Sequence, residues 1–536
     1  MRSSRVMKDV PGVIQNAKVK MQITWNVRRV RCLHFAFCIL HFGWRLRAPS
    51  IVMALVMASA PADARAADFR EEVTRAFDRT LSSSAMTIRV EHRNGDVRMR
   101  AHARSELRVQ ATIRVSANSR ADASAFADRI QIDIQDGPVV NVTTRYPSDR
   151  SFRDLSYAVD YDLLVPERWM FDVRNNFGNV SLTGMKGAGS VINANGRVSA
   201  TDGAGNYQLE NRFGAIDVLR LSGNLTIKGA NGAVSASTVT GALNLTNRFG
   251  LVAATMIRGD AVIANENGRV EASGIMGRAD VRTTFGSVDV RDVGSLSASS
   301  MNGTVSGTNI GGSATIKASF GSVALRNVAK DARVDNSNGA VSVQDVRGGA
   351  DLSTRFGGVE AQGVKGGLRV SAANAPVRVS DIDGIVYLKT SFGSIDAERV
   401  RGAFTADNSN GSVRAIGIGG AAMVSSSFGG IVLREVDGRI EARNTNGSIE
   451  AWPLAKPGQC HDVLLTTSFG RMEARLPDAG YTVTARTSFG RITADVPITA
   501  TGTIGSTSIS GTIGRGGCTL QLINMNGDIN ILKQTR

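Results

Sequence analysis

Hydrophobic and polar positions recur along most of this chain with a regular spacing of about 18 residues. In the unit that begins at Phe213, apolar residues occupy positions 4, 6, 9, 13 and 15, and glycine occupies positions 2 and 11. The unit that begins at Phe428 repeats this arrangement. Alternation at positions 4 and 6, and again at 13 and 15, is typical of half-buried strands, and glycine permits tight turns. The pattern therefore predicts two short strands and two corners in each unit.

Phe-Gly and Asn-Gly pairs alternate at the first two positions of successive units. From residue 177 to 445 there are 15 consecutive units, all of the same length except one that is shorter by a single residue. Asn374 keeps its place in the series but is followed by Ala375 and Pro376. The predicted structural repeat positions are Phe177, Asn195, Phe213, Asn231, Phe249, Asn267, Phe285, Asn302, Phe320, Asn338, Phe356, Phe392, Asn410, Phe428 and Asn446.

One unit is too small to bury its own apolar face, so stacking of similar units is expected. The sequence predicts an all-β parallel solenoid with about 18 residues per coil, and the regular array would be a rod roughly 70 Å long. Equivalent phenylalanines would be about 9.6 Å apart, with one asparagine between each pair. A flat antiparallel meander is the alternative, because Asn-Gly favours hairpins. Phenylalanine seldom takes the positive φ that such a turn requires, which favours the solenoid.

The chain on either side of the regular array 177–445 is less regular. Residues 67–176 are expected to form a β-rich N-terminal cap, with a short helix or an extended lead-in at the start and two strands around Asn94-Gly95. The segment 121–129 is expected to form a helical turn. Residues 446–536 contain prolines and looser spacing, which predicts irregular C-terminal coils.

Residues 1–66 have the order of a targeting segment. Arg45 and Arg47 precede an apolar run at 51–58, and small residues follow up to Ala66, where cleavage is expected. A retained anchor is the alternative, as is a start codon placed too far upstream. Neither this run nor a second apolar run, from Cys32 to Trp44, reaches the roughly 20 residues that span a bilayer.

The formal charge of +16 is concentrated near the N-terminus, because residues 1–66 carry 11 Lys and Arg against two acids. Along the repeats, basic and acidic residues alternate without aromatic platforms, so nucleic-acid binding is not expected. Of the four cysteines, only Cys460 and Cys518 lie beyond residue 66. They are a candidate disulfide in an exported protein, although their spacing alone does not bring them together.

No catalytic, cofactor-binding or metal site is predicted. His92, His102 and His461 lack the spacing of metal ligands or of a catalytic dyad and are interpreted as solvated surface residues. Asp160 and Asp162 would share one face of a strand, without a placed acid or base partner. Neither a calcium nonapeptide nor a phosphate-binding glycine loop recurs.

Arginines near the Phe-Gly and Asn-Gly pairs form sparse columns, which are interpreted as solubilising, with an acidic-glycan stripe as the alternative. They are Arg197, Arg212, Arg248, Arg269 and Arg355.

Three features resemble the bacterial putative-adhesin β-strand-repeat family, a domain of unknown function. These are the Asn94–Val97 entry, the stretch Val159–Pro166, and the series of Asn-Gly and Phe-Gly units. The resemblance implies an exported β-rich repeat protein and brings no functional residues with it.

The functional hypothesis is an exported, monomeric, non-catalytic rod in the periplasm, at the cell surface or in the medium. Its repeated polar face would contact a cell surface, a glycan or a partner protein through many weak contacts. The alternatives are a carbohydrate-active enzyme of the β-helix type and a rod that assembles through its end coils.

Overall fold

The computed structural model describes residues 71–148, 154–454, 456, 458–501 and 505–534. The expected targeting segment 1–66 lies outside the described residues. Residues Ala67–Arg536 form one compact unit. Its described part is almost entirely β-structure. The predicted solenoid of stacked coils, with about 18 residues in each, is confirmed by the pairing of equivalent strands.

Nine strands precede the regular array, and the one helix of the described residues, α1 (Arg120–Ala127), lies between the fourth and the fifth of them in the sequence. They are β1 (Glu71–Ser82), β2 (Thr87–Asn94), β3 (Val97–His102), β4 (Glu106–Ala117), β5 (Gln131–Gln135), β6 (Val140–Arg145), β7 (Ser156–Pro166), β8 (Met170–Phe177) and β9 (Val180–Thr183).

The regular array follows as strands β10 to β37. In chain order they are Gly189–Asn195, Val198–Ala204, Tyr207–Phe213, Ile216–Ser222, Leu225–Asn231, Val234–Val239, Leu243–Phe249, Val252–Ile257, Ala261–Asn267, Val270–Phe285, Val288–Asn302, Val305–Ile310, Ala314–Phe320, Val323–Val328, Ala332–Asn338, Val341–Val346, Ala350–Phe356, Val359–Val364, Leu368–Asn374, Val377–Ile382, Val386–Phe392, Ile395–Val400, Phe404–Asn410, Val413–Ile418, Ala422–Phe428, Ile431–Val436, Ile440–Asn446 and Ile449–Pro453.

The C-terminal strands are β38 to β45. They span Val463–Phe469, Met472–Leu476, Tyr481–Phe489, Ile492–Ala494, Ile498–Ala500, Ser508–Ile513, Cys518–Asn526 and Ile529–Lys533.

Each strand of the array pairs in parallel with the equivalent strand of the next coil. Phe213, for example, is in register with Asn195 on one side and with Asn231 on the other. The antiparallel meander is therefore excluded for the array. The unit that is one residue shorter begins at Phe285. The register between β19 and β20 shifts in the corner between Ile275 and Arg278, and the strands on either side of that corner stay aligned.

The first positions of all coils form one continuous line, here called the edge column. It contains ten asparagines and ten phenylalanines in strict alternation along the stack: Asn94, Phe177, Asn195, Phe213, Asn231, Phe249, Asn267, Phe285, Asn302, Phe320, Asn338, Phe356, Asn374, Phe392, Asn410, Phe428, Asn446, Phe469, Asn526 and Phe489.

The core is a narrow strip of aliphatic side chains enclosed by the coils. In the unit that begins at Phe213, all five predicted apolar positions are buried, at Ile216, Val218, Leu221, Leu225 and Ile227. Small and branched residues suit this strip because opposite walls of so short a coil lie close together. The hydrophobic pattern therefore identified the inward-facing residues correctly.

Behind the edge column, the backbones of successive coils almost touch. Gly214 has φ 119°, and a Cβ built on it would lie 2.2 Å from the carbonyl oxygen of Gly196. The buried Asn211 side chain completes this corner, because its Nδ2 donates to the carbonyl oxygens of Gly196 at 2.8 Å and of Gly214 at 3.0 Å. Such inward amides recur at Asn175, Asn193, Asn247, Asn265, Asn336, Asn408, Asn444 and Asn524.

Every coil of the array also contains a third bend, at position 8, which the sequence analysis missed. Residues at this position take positive φ although most of them are not glycine, as Arg220 does at 56°. Side chains other than glycine enter this region at a cost of about 1 kcal/mol or more. The signal was weak because glycine marks the bend in the array only at Gly184, Gly274, Gly363 and Gly417.

The stack begins before the regular array. β2 and β3 form a first coil whose Asn94 pairs with Phe177, and they do not pair with each other as a hairpin. Beyond this coil, β6 extends one wall, and β7, β4 and β1 extend the other. In this second wall, β4 lies between β7 and β1 and is antiparallel to both. The residues expected to form a helix or an extended lead-in are thus strand β1, and the expected helical turn is α1.

At the other end, the coils do not stack in chain order. The last segment of the chain, β44 and β45, lies between the coil of β38 and β39 and the coil of β40 and β41. Asn526 consequently sits between Phe469 and Phe489 in the edge column. The disulfide between Cys460 and Cys518 joins the starts of β38 and β44, across a sequence separation of 58 residues.

His92 is buried, with 6% of its surface exposed, so its interpretation as a solvated residue was wrong. It follows Ile88 and Val90 on the inward face of β2. Its ring meets that of Tyr161 edge-on, with centroids 5.0 Å apart, and its Nδ1 lies 3.2 Å from the hydroxyl of Thr144. Burial is the main reason that its pKa falls from 6.5 to about 4.

Replacing Gly250 with alanine is expected to reduce the free energy of unfolding by roughly 2 kcal/mol or more. Its φ is 122°, and a Cβ would lie 2.4 Å from the carbonyl oxygen of Gly232. Thermal melts and hydrogen exchange of β14 to β18 measure the effect. Gly137→Ala is the matched control, because the nearest atom to its Cβ would be 3.8 Å away. Equal stability of the two variants would contradict close stacking.

Replacing both Cys460 and Cys518 with serine should reduce the free energy of unfolding of the segment that contains β44 and β45 by roughly 4 kcal/mol. This is the loop-closure effect expected for a disulfide with a sequence separation of 58 residues. Hydrogen exchange by mass spectrometry should show faster exchange in β44 and β45. Strands β14 to β16 serve as the internal control and should be unaffected. Unchanged protection of β44 would mean that the disulfide does not hold this coil in place.

Protonation of His92 should make the protein less stable in mild acid. Above pH 6.5 the residue is neutral whether the chain is folded or unfolded. Between pH 6.5 and about 4 only the unfolded chain gains the proton, so roughly 3 kcal/mol of stability is lost across that window. Urea denaturation at several pH values measures this decline. His92→Phe should remove most of it, whereas His102→Gln should retain it.

Candidate functional site

The phenylalanines of the edge column point away from the core. Nine of the ten rings are between 46% and 55% exposed, and the last, Phe489, is 73% exposed. Phenylalanine is normally among the most buried residues, so a row of half-exposed rings is unusual. The phenylalanines were predicted as structural repeat positions, and the structure places their rings on the surface.

Asparagines of the edge column are tied to the neighbouring coil. The Nδ2 atom of Asn195 donates to the carbonyl oxygen of Asn176 at 3.2 Å, and that of Asn338 donates to the carbonyl oxygen of Ser319 at 3.3 Å. The flanking residues from 284 to 468 are mostly serine, alanine, threonine and glycine. Rings and amides therefore alternate along this edge with little bulk beside them.

A second surface, the corner groove, follows the third bend across eight consecutive coils, from Asn309 to Asp437. It consists of two hollows, of about 520 and 570 Å³, that share Lys365. Its floor is formed by buried valines and isoleucines at position 9, and its rims by positions 8 and 10. Glycines at rim positions, such as Gly311 and Gly417, leave the groove open.

Charged side chains of both signs line the corner groove in pairs. Arg399 Nε lies 2.7 Å from Asp381 Oδ1, and Asp383 is paired with Lys365 and Arg401, each at 3.1 Å. Hydrogen bonding to Arg399 lowers the pKa of the Asp381 carboxyl, and the same contact raises the pKa of the arginine. The Asp381 carboxylate is therefore ionised, and cations of adjacent coils pair with both Asp381 and Asp383.

A carboxylate paired with basic side chains also lies at the end of the groove nearest the C-terminus. Asp437 is paired with Lys456 and lies 3.1 Å from His461 Nε2. The hydrogen bond from Lys456 is the largest cause of the lowered pKa of Asp437. His461 is thus half-buried beside a carboxylate, where the sequence analysis placed it in solvent.

Two carboxyls of the corner groove have lowered pKa values. A general acid in a glycosidase needs a carboxyl whose pKa is raised, whereas the pKa values of Asp381 and Asp437 are lowered. Among the described residues, no group of three or more His, Cys, Asp or Glu side chains is placed to hold a metal ion.

The other sequence-derived candidates are dispersed. Asp160 and Asp162 do share one face of β7, but they pair with Arg114 and Arg100 respectively. Of the sparse arginine columns, Arg197, Arg248 and Arg269 contact acids of their own chain at 3.4, 3.3 and 2.9 Å. The sequence pattern does not reveal the corner groove, because few glycines mark the bend at position 8 that the groove follows.

Comparison with known proteins gives distant similarities only. One solved structure is that of a putative cell adhesion protein from Clostridium sporogenes, with 6% identity, a TM-score of 0.16, and coverage of 86% of this chain and 100% of that chain. Another is a putative adhesin from Bacteroides fragilis, with 12% identity, a TM-score of 0.19, and coverage of 49% of this chain and 97% of that chain. No family model and no curated protein matches the sequence.

The helix of the described part is too short and too polar to cross a membrane.

Proposed function

We propose that this protein is an exported, non-catalytic adhesin that contacts a cell surface, a glycan or a partner protein through its corner groove. The observation that carries the proposal is the length and regularity of this groove. It spans eight coils and therefore roughly 35 Å, with equivalent side chains repeated every 4.8 Å or so. An extended chain lying in the groove would meet an apolar floor at each coil and charged rims at several of them.

The ion pairs of the groove suit binding better than they suit stability. The side chains of Lys365, Arg399 and Arg401 remain 59%, 59% and 78% exposed despite their partners. Exposed pairs of this kind contribute only about 0–1 kcal/mol each to folding. Acidic or hydroxyl groups of a ligand can therefore exchange with them at low cost, and several such contacts add through effective concentration.

Export is supported by the disulfide between Cys460 and Cys518, because such bonds persist in oxidising compartments. The order of residues in the segment 1–66 agrees with this location. A carbohydrate-active enzyme is less favoured, since Asp381 and Asp437 of the groove are ion-paired with lowered pKa values.

The triple variant K365A/R399A/R401A tests the proposal. Binding of the purified protein to intact bacteria and to isolated cell-wall glycans should fall at least about tenfold, and the remaining binding should depend less on salt. Pull-down with labelled cells at low and high ionic strength measures both effects. Unfolding curves verify that the variant remains folded.

The matched control is K228A/K317A/K389A, which removes the same charge from exposed outward positions of β14, β22 and β30. It should bind like the unmodified protein. Equal losses in both variants would show that overall positive charge, and not the corner groove, attracts the surface. Unchanged binding of the groove variant would contradict the proposal.

A further inference from the structure

The exposed phenylalanine row is larger than a solitary protein normally leaves in water. Half-exposed rings present about 100 Å² each, so the ten together present roughly 1,000 Å². The largest apolar patch on a typical monomer is about 300–600 Å², whereas a standard interface takes about 800 Å² from each partner. The edge column is therefore large enough to support a stable dimer.

The spacing of the rings limits what can cover them. Successive phenylalanines of one chain are about 9.6 Å apart, and each gap lies over an asparagine. A ring inserted into a gap would be offset by about 4.8 Å along the rod from the rings on either side, within the 4.5–7 Å range of favourable aromatic pairs. Only a surface with the same period can fill every gap, and a second copy of this chain has that period.

The order of the edge column makes two copies complementary when they run in opposite directions. The column has twenty positions, and it begins with Asn94 and ends with Phe489. Reversing it places every phenylalanine opposite an asparagine, and Phe320 meets Asn338 of the second copy at the two-fold axis. Parallel copies in register would instead place ring against ring.

At both ends of the edge column, neighbouring positions are filled by segments that are far apart in the sequence. Asn94 is distant in sequence from Phe177, its neighbour in the column, and Asn526 comes from the last segment of the chain to separate Phe469 from Phe489. The alternation therefore continues across both breaks in the local repeat. Without the Asn94 coil alone the column would begin and end on phenylalanine, and reversal would oppose ring to ring.

The flanking residues agree with the antiparallel arrangement. Arg212 and Arg248, each next to a phenylalanine, would face Thr445 and Ser409 of the second copy, which are small and uncharged. At the ends, Asp96 would face Arg491 of the second copy, an attractive pair.

One like-charged encounter arises, between Arg197 and Arg471 of the second copy. Each is neutralised within its own chain, by Asp217 at 3.4 Å and by Glu473 at 3.9 Å.

We propose that two copies of this chain associate side by side and antiparallel along their edge columns, with the phenylalanines of each filling the gaps over the asparagines of the other. A dimer differs from the monomer that the sequence predicts, because the sequence pattern does not show that the rings are exposed. The dimer is closed by a two-fold axis, so it does not extend into a filament. It leaves both corner grooves outside the interface, since they follow a different corner of the coil.

Sedimentation of the full-length chain over a dilution series tests the association. The unmodified protein should be a dimer, and F285S/F320S/F356S/F392S should raise the dissociation constant at least roughly a hundredfold by removing the central rings. The control M256S/M276S/I385S/M423S removes four other exposed apolar side chains and should remain dimeric. Circular dichroism verifies that both variants retain their β-structure.

A monomer at every concentration would overturn the proposal. So would equal weakening in the control, which would indicate nonspecific apolar association. If the protein is monomeric and the phenylalanine variant loses binding to lipid vesicles or glycans, the edge column serves a different ligand.

Orientation is tested by thiol cross-linking in a background in which Cys32 and Cys38 are replaced by serine. Arg93 and Ser488 flank opposite ends of the edge column. Mixing R93C protein with S488C protein should give mixed cross-linked dimers, and S488C protein alone should give none. Cross-links within S488C protein alone would indicate parallel copies and overturn the antiparallel arrangement.

Discussion

Successive coils can stack only because their backbones approach closely at the corner behind the edge column. A side chain at Gly214 would collide with the carbonyl oxygen of Gly196, and the positive φ there also excludes most other residues. The carbonyl oxygens that turn inward at this corner need donors, which the buried Asn211 and its equivalents supply. Close approach and glycine recur along nearly the whole stack, and an inward amide, or in some coils a hydroxyl such as that of Thr390, supplies the donor. The parallel ladders depend on this combination.

This constraint also creates both candidate surfaces. Once equivalent residues are stacked in register, any side chain that points outward becomes a column about 4.8 Å in period. Alternation of phenylalanine and asparagine gives an apolar edge with regular gaps, and charged and small residues at positions 8 and 10 give the corner groove. The two surfaces differ in chemistry, so self-association and adhesion can use separate parts of the same coil.

The ends of the rod show how an open stack is terminated. At the N-terminal end, antiparallel strands β7, β4 and β1 extend one wall, and β6 and β5 extend the other. At the C-terminal end, the final segment is inserted between two earlier coils and joined to the rod by the disulfide between Cys460 and Cys518. Strands β44 and β45 are thereby held between two coils instead of at the open end of the stack.

The sequence by itself determined the coil length, the strand positions and the inward-facing residues, because these follow from local periodicity and from glycine. It did not reveal the third bend, since Arg220 and its equivalents enter a left-handed conformation without a glycine signal. His92 was misjudged because its burial depends on the coil that closes around it. The insertion of Asn526 between Phe469 and Phe489, and the exposure of the rings, were decided only by the tertiary structure. The insertion depends on which distant segments pair, and the exposure depends on the direction in which each corner turns. A local repeat carries no information about either.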